Sequence, residues 1–183
     1  MTEERSVSER VNIYYDLYAP EVRHGSMPLI IALHGYEGNK ESMMAKMLKV
    51  NSKDFIIASL QGPNSFLIRD QANPRKARVG FGWMMQYKAE ETIQLHHRAV
   101  RSIIDEAARA YAIDRGSIFL AGFSQSVSLN YRFAFTYPGT VRGIVAVCGG
   151  IPGDWQESRY YQSDTDVLIL AGETDEFYPL ERT

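Results

Sequence analysis

A single cysteine, Cys148, excludes an internal disulfide framework. No apolar run approaches the ~20 residues that cross a bilayer, so no membrane span is expected. Neither charge sign prevails, since 20 Lys and Arg stand against 22 Asp and Glu for a net charge of −2. The basic footprint of nucleic-acid binders is therefore missing, and no nucleic-acid partner is expected. No C-x-x-C, H-E-x-x-H or calcium-loop pattern occurs, so no metal and no cofactor is implied. Gly38-Asn39-Lys40 lacks the spacing of a phosphate loop, and Gly80-Phe81-Gly82 lacks the strand-to-helix context of a dinucleotide fingerprint. The N-terminus, MTEERSVSER, alternates charge around no apolar segment and is not a secretory signal as it stands. A soluble, cytoplasmic protein is the expectation. Histidine is scarce too: there are four, His24, His34, His96 and His97, and none follows His97.

What is present suits one globular domain over 1–183, with 45% hydrophobic and 23% charged residues. Short apolar runs alternate with helical patterns. Strands are expected at 11–20, 28–35, 54–63, 116–124, 141–150 and 166–175, and helices at 40–50, 88–111 and 125–137. On the second helix Ile93, His97, Val100, Ile104, Ala107 and Tyr111 form one stripe. Residues 63–87 show no clear period and read as a long irregular loop, of the kind that carries function or moves. Continuously apolar strands alternating with helices imply an α/β domain with a mostly parallel sheet and helices on both faces. Chemistry in such sheets gathers beyond the carboxyl ends of the strands.

Three strand ends carry reactive residue types. Gly122-Phe123-Ser124-Gln125-Ser126 is a G-x-S-x-small pentapeptide between a strand and a helix. A serine there sits on a sharp turn that exposes its hydroxyl, and the helix behind it aims free N–H groups at the site. His34-Gly35-Tyr36 follows an earlier strand, where His34 reads as a structural turn residue sooner than as a general base. Its backbone is the more interesting part, since the loop after this strand supplies one oxyanion donor in hydrolases with a serine elbow. Gly172-Glu173-Thr174-Asp175-Glu176 crowds three acids after the last strand, with Asp175 best placed to orient a histidine.

The segments LHGYEG (33–38), GFSQS (122–126) and AGETDEFYP (171–179) resemble those of α/β-hydrolases, most closely the phospholipase/carboxylesterase group of small serine esterases. YAIDRGSIFLAGFSQ (111–125) resembles that family's approach to its nucleophile, and GFGWM (80–84) its tryptophan-bearing loop near the acyl pocket. The resemblance implies Ser124 as nucleophile, Asp175 as triad acid, the N–H groups of Tyr36 and Gln125 as the oxyanion hole, and Trp83 and Met84 as substrate-pocket walls. It implies a small-molecule carboxylic ester as substrate, cleaved through an acyl-enzyme.

Two departures follow. Ser126 stands where the family usually has glycine. The triad order in this fold is serine, acid, histidine, yet no histidine lies beyond Asp175. The chain is therefore expected to lack the last strand and helix of the fold, as a fragment, and to be inactive or impaired as it stands. An open strand edge of that kind favours association, so homo-oligomerisation is an expectation. The rival reading is a non-catalytic binding protein on the same fold. Cys148 lies in an apolar strand and reads as inert core. Arg69, Arg75, Lys76 and Arg78 read as a solvated lid face or as contacts for an anionic leaving group.

Overall fold

The computed structural model describes residues 1–22, 25–73, 75–84, 86–157 and 160–179. Among the described residues, eight strands and three helices follow in chain order: β1 (Tyr15–Tyr18), β2 (Met27–Leu33), α1 (Lys40–Val50), β3 (Ile56–Leu60), β4 (Asn64–Arg69), β5 (Ala77–Gly82), α2 (Ala89–Ala110), β6 (Ile113–Phe123), α3 (Val127–Thr136), β7 (Gly143–Val147) and β8 (Asp166–Leu170). Six strands form one sheet in the order β1-β3-β2-β6-β7-β8. β1 pairs antiparallel with β3, and every other pairing in that sheet is parallel. The expected α/β architecture with a mostly parallel sheet is present.

The central strands are apolar because both of their faces are covered. Along β2, Leu29, Ile31 and Leu33 join the main core with α2 and α3, while Ile30 and Ala32 face Met43 and Met47 of α1. The helices therefore lie on opposite faces. α1 starts where Asn39 caps it, its side-chain oxygen accepting from the Ser42 N–H at 2.8 Å. α2 buries Ile93, His96, His97, Val100, Ile103, Ile104 and Ala107, which adds His96 and Ile103 to the stripe read from spacing.

The stretch 63–87 corrects the sequence reading. β4 and β5 pair antiparallel as a separate two-stranded ribbon, Asn64 opposite Gly82 through Arg69 opposite Ala77. Asp70 and Asn73 fold the connecting turn, Asp70 accepting from the Ala72 and Asn73 N–H groups. The ribbon was illegible because its outward residues include Leu67 and Val79, which erases the polar alternation that marks a half-buried strand.

At the other edge, β8 is exposed along its whole length, with Leu168 at 55% and Leu170 at 48%. On the face that α1 covers only in part, Phe119, Val145, Val147, Leu168 and Leu170 line an open apolar groove of about 420 Å³. Among the described residues no helix is long and apolar enough to cross a membrane.

Candidate active site

The parallel register brings four strand ends level. Leu33 pairs with Gly122, Phe123 with Val147, and Val147 with Leu170. The loops that follow β2, β6, β7 and β8 therefore share one rim of the sheet. Those loops carry Tyr36, Ser124, Cys148 and Asp175.

Ser124 is the sharpest local feature on this rim. It opens a single 3-10 turn, Ser124–Ser126, between β6 and α3, and its φ is +56°. A serine pays steric energy for that left-handed conformation, on the order of 1 kcal/mol. The surroundings enforce it. A Cβ at Gly122 would come within 2.8 Å of Asn130 Nδ2, and one at Gly149 within 2.5 Å of Val127 Cβ and 2.6 Å of the Ser124 carbonyl oxygen. Glycine at both places lets β6, α3 and the end of β7 close around the turn.

Ser126 explains its own departure from glycine. It is fully buried, and its hydroxyl accepts from the Phe123 N–H at 3.0 Å while lying 3.0 Å from the Leu33 carbonyl, to which it donates. The added hydroxyl joins the serine turn to the end of β2, whose following loop holds Tyr36. Nothing in the sequence beyond the small size of residue 126 signalled this bond.

Gly35 packs directly on Phe123, since a Cβ there would meet the Phe123 ring at 2.7 Å. The Gly38 N–H donates to the Gly35 carbonyl at 3.1 Å and closes the turn that carries Tyr36. Tyr36 itself is exposed and stacks on Phe66 with ring centroids 4.8 Å apart. The Gln125 side-chain oxygen accepts from the Trp83 N–H at 2.8 Å, so the β4–β5 ribbon is tied to the serine turn. Tyr36, Ser124 and Gln125 thus come together.

Trp83 requires a correction. It is 1% exposed, and its indole N–H donates to the His34 carbonyl at 2.9 Å. The ring belongs to the core beneath the rim, between His34 and His96, and does not stand open as a pocket wall. Met84 is half-buried and packs against that same core.

Asp175 sits beyond β8 and is partly exposed. Its carboxylate accepts from the N–H groups of Phe177 and Tyr178, both at 2.9 Å. Those two backbone bonds, Tyr178's the larger in effect, hold its carboxyl below the usual carboxylate range, with a smaller contribution from the Cys148 thiol. Cys148 is half-buried, has a φ of +45° and lies on the rim between Ser124 and Asp175, a placement its apolar run did not reveal.

The histidines are committed elsewhere. His34 is 2% exposed, with Nδ1 2.7 Å from the Gly35 carbonyl and Nε2 accepting from the Gly62 N–H at 2.9 Å. Burial pushes it down, so it is a neutral strut of the turn, opposed slightly by the Gly35 carbonyl and Glu41. His96 and His97 are each 2% exposed inside α2, stacked edge to face with Phe133. Their ring nitrogens make no hydrogen bond among the described residues. Burial pushes His96 down to about 3 and His97 down to about 4. The neighbouring His97 further disfavours charge on His96, and the nearby Asn130 side chain offsets a little of the shift. His24 lies outside the described residues. Among the described residues no group of three or more His, Cys, Asp and Glu could hold a metal ion.

Comparison with known proteins bears on the fold and the family. The chain is similar in structure to the esterase PE8 (TM-score 0.69, 18% identity, 94% of this chain and 80% of that one). A Bacillus cereus carboxylesterase superposes with a TM-score of 0.67 at 20% identity, over 93% of this chain and 75% of that one. A phospholipase/carboxylesterase from Dyadobacter fermentans gives 0.60 at 22% identity, over 93% and 76%. No curated protein sequence matches significantly. Structural likeness at such identities speaks for the fold, and the pattern of one sequence family, matching residues 19–182, decides the rest. The chain belongs to the phospholipase/carboxylesterase family and has the α/β-hydrolase fold.

Proposed function

We propose that the chain is a serine hydrolase of carboxylic esters that works through an acyl-enzyme, impaired as it stands for want of a base. The observation that carries this reading is Ser124 held at φ +56° on the turn between β6 and α3. A serine kept in a costly conformation at a strand end is a functional-site signature. Ser124 Oγ attacks the ester carbonyl. The N–H groups of Tyr36 and Gln125 take up the oxyanion. Asp175 is the acid for a histidine that, in a complete triad, accepts the Ser124 proton. That histidine is none of His34, His96 and His97, whose nitrogens are bonded within the turn or sealed in the core. Without it the oxyanion hole and substrate binding alone retain roughly 10³–10⁴-fold over water.

The test is intact mass after treatment with a fluorophosphonate, with and without added imidazole, beside Ser124→Ala. One slow adduct that imidazole accelerates and Ser124→Ala removes is the expected result. Absence of any adduct even with imidazole would refute the hydrolase reading and favour a binding protein on this fold. That second reading draws on the same sealed histidines.

A further inference from the structure

The geometry points to a subsite for a second, anionic group of the ester, beside the serine turn, with Lys46 as its specificity-determining cation. This rests on the reading of Ser124 as nucleophile and names the substrate class of that site. A cavity of about 300 Å³ opens between the loop after β2 and helix α1. That size is at the lower end of small-molecule sites. Gly35, Tyr36 and Glu37 form one wall, Lys46 and Arg78 bring positive charge, and Phe123 is the wall nearest the nucleophile. Phe123 immediately precedes Ser124, and Tyr36 carries the proposed oxyanion donor. A substrate whose carbonyl lies between Tyr36 and Gln125 therefore has this cavity within one short chain's reach.

The charges of the cavity do not balance. Arg78 is already answered, donating to the Glu37 carboxylate at 2.8 Å and to its carbonyl at 3.2 Å. Lys40, at the start of the same helix, is held by Asp16 at 2.6 Å and Glu41 at 2.9 Å. Lys46 has no such carboxylate among the described residues. Its ammonium rests instead over the Phe123 ring, 5.1 Å from the centroid. A ring face attracts a cation and orients it, but does not neutralise it. The cavity consequently presents one directed positive charge, with Met43 and Phe123 as apolar lining beside it. An ester with a short apolar spacer ending in a carboxylate or a phosphate fits this layout. A neutral ester of the same length leaves the ammonium unanswered.

The binding test needs no catalysis. The ¹⁵N-labelled chain is titrated with sodium succinate at constant ionic strength, in parallel with inorganic phosphate and with neutral succinamide. The expected result is a saturable shift confined to the amides of residues 35–38, Lys46 and Phe123, produced by succinate, by phosphate or by both, and not by succinamide. Which anion acts distinguishes a carboxylate from a phosphate as the second group. Lys46→Met weakens the apparent affinity by about fivefold, the scale of one partly exposed charge pair, and Lys46→Arg restores it. Lys46 is exposed, so neither substitution threatens folding. Equal shifts with succinamide, shifts scattered over the surface, or an affinity that Lys46→Met leaves unchanged would overturn the proposal. Fluorophosphonate labelling of Ser124 is scored on separate samples, so a failed hydrolase reading and a failed subsite give different results.

Discussion

Acid should loosen this fold well before its carboxylates titrate, because two imidazoles are locked neutral inside α2. His96 and His97 are both 2% exposed and hold folded-state values of about 3 and about 4 against an ordinary 6.5. Above pH 6.5 both states of the chain carry them neutral, and their contribution is fully present. Between 6.5 and 4 the unfolded chain binds protons that the folded chain refuses, so stability falls with falling pH. The loss continues to about 4 for His97 and about 3 for His96. One pH unit costs about 1.4 kcal/mol per histidine, so at pH 5 the pair weakens the fold by about 4 kcal/mol. That is a large part of the roughly 5–15 kcal/mol that holds a typical domain together. His34, also pushed down by burial, acts in the same direction. Glu41, Asp114 and Asp175 are held below their ordinary ranges and contribute only further into acid. Urea unfolding at pH 7.5 and pH 5 reads the effect, with the slope against urea unchanged and the midpoint lowered. His96→Phe and His97→Phe suit the aromatic packing around both rings, and each should remove about half of the pH dependence. A stability that is flat from pH 7.5 to 5, or a pH dependence that neither variant alters, would refute the reasoning.

Two further expectations test the rim and the core. Ser124→Gly releases the left-handed strain at φ +56° and should raise stability by about 1 kcal/mol in thermal unfolding, while abolishing fluorophosphonate labelling. Arg132→Met takes away the cation 2.5 Å from Asp154 in a pair whose side chains are 11% and 17% exposed. It should cost about 3 kcal/mol in urea unfolding, and adding Asp154→Asn should recover part of that loss.

Much of the architecture could be read from residue patterns, for physical reasons. PLIIAL and FIIA are apolar at consecutive positions because β2 and β3 are covered on both faces. The helix expected at 40–50 is α1, bounded by a capping asparagine at its start. The serine turn announced itself through Gly122, whose missing side chain Asn130 and Val127 require. Other features depend on contacts between distant segments, which local patterns do not encode. The wall position of Trp83 came only from the resemblance of GFGWM to a family loop, with no period around it to test that placement. It is buried by packing in the main core, where its indole N–H meets the His34 carbonyl at another strand end. The β4–β5 ribbon hid behind Leu67 and Val79, apolar residues that face outward. The bond from Ser126 to the Leu33 carbonyl joins residues far apart in sequence, and only the β2–β6 pairing brings them within reach.

That pairing also has a consequence for how the molecule comes to exist. Leu33 meets Gly122 with half the chain lying between them. Contacts of such sequence separation close slowly, because loop entropy must be overcome before any of them stabilises the chain. The loop that carries Tyr36 and the serine turn belong to opposite partners of this one ladder. During synthesis the loop after β2 leaves the ribosome long before the strand that completes it. The serine turn can then reach its strained geometry only in the final, cooperative closure. The geometry at Ser124 is thereby a clock for folding: it is complete only when the long loop between β2 and β6 has shut.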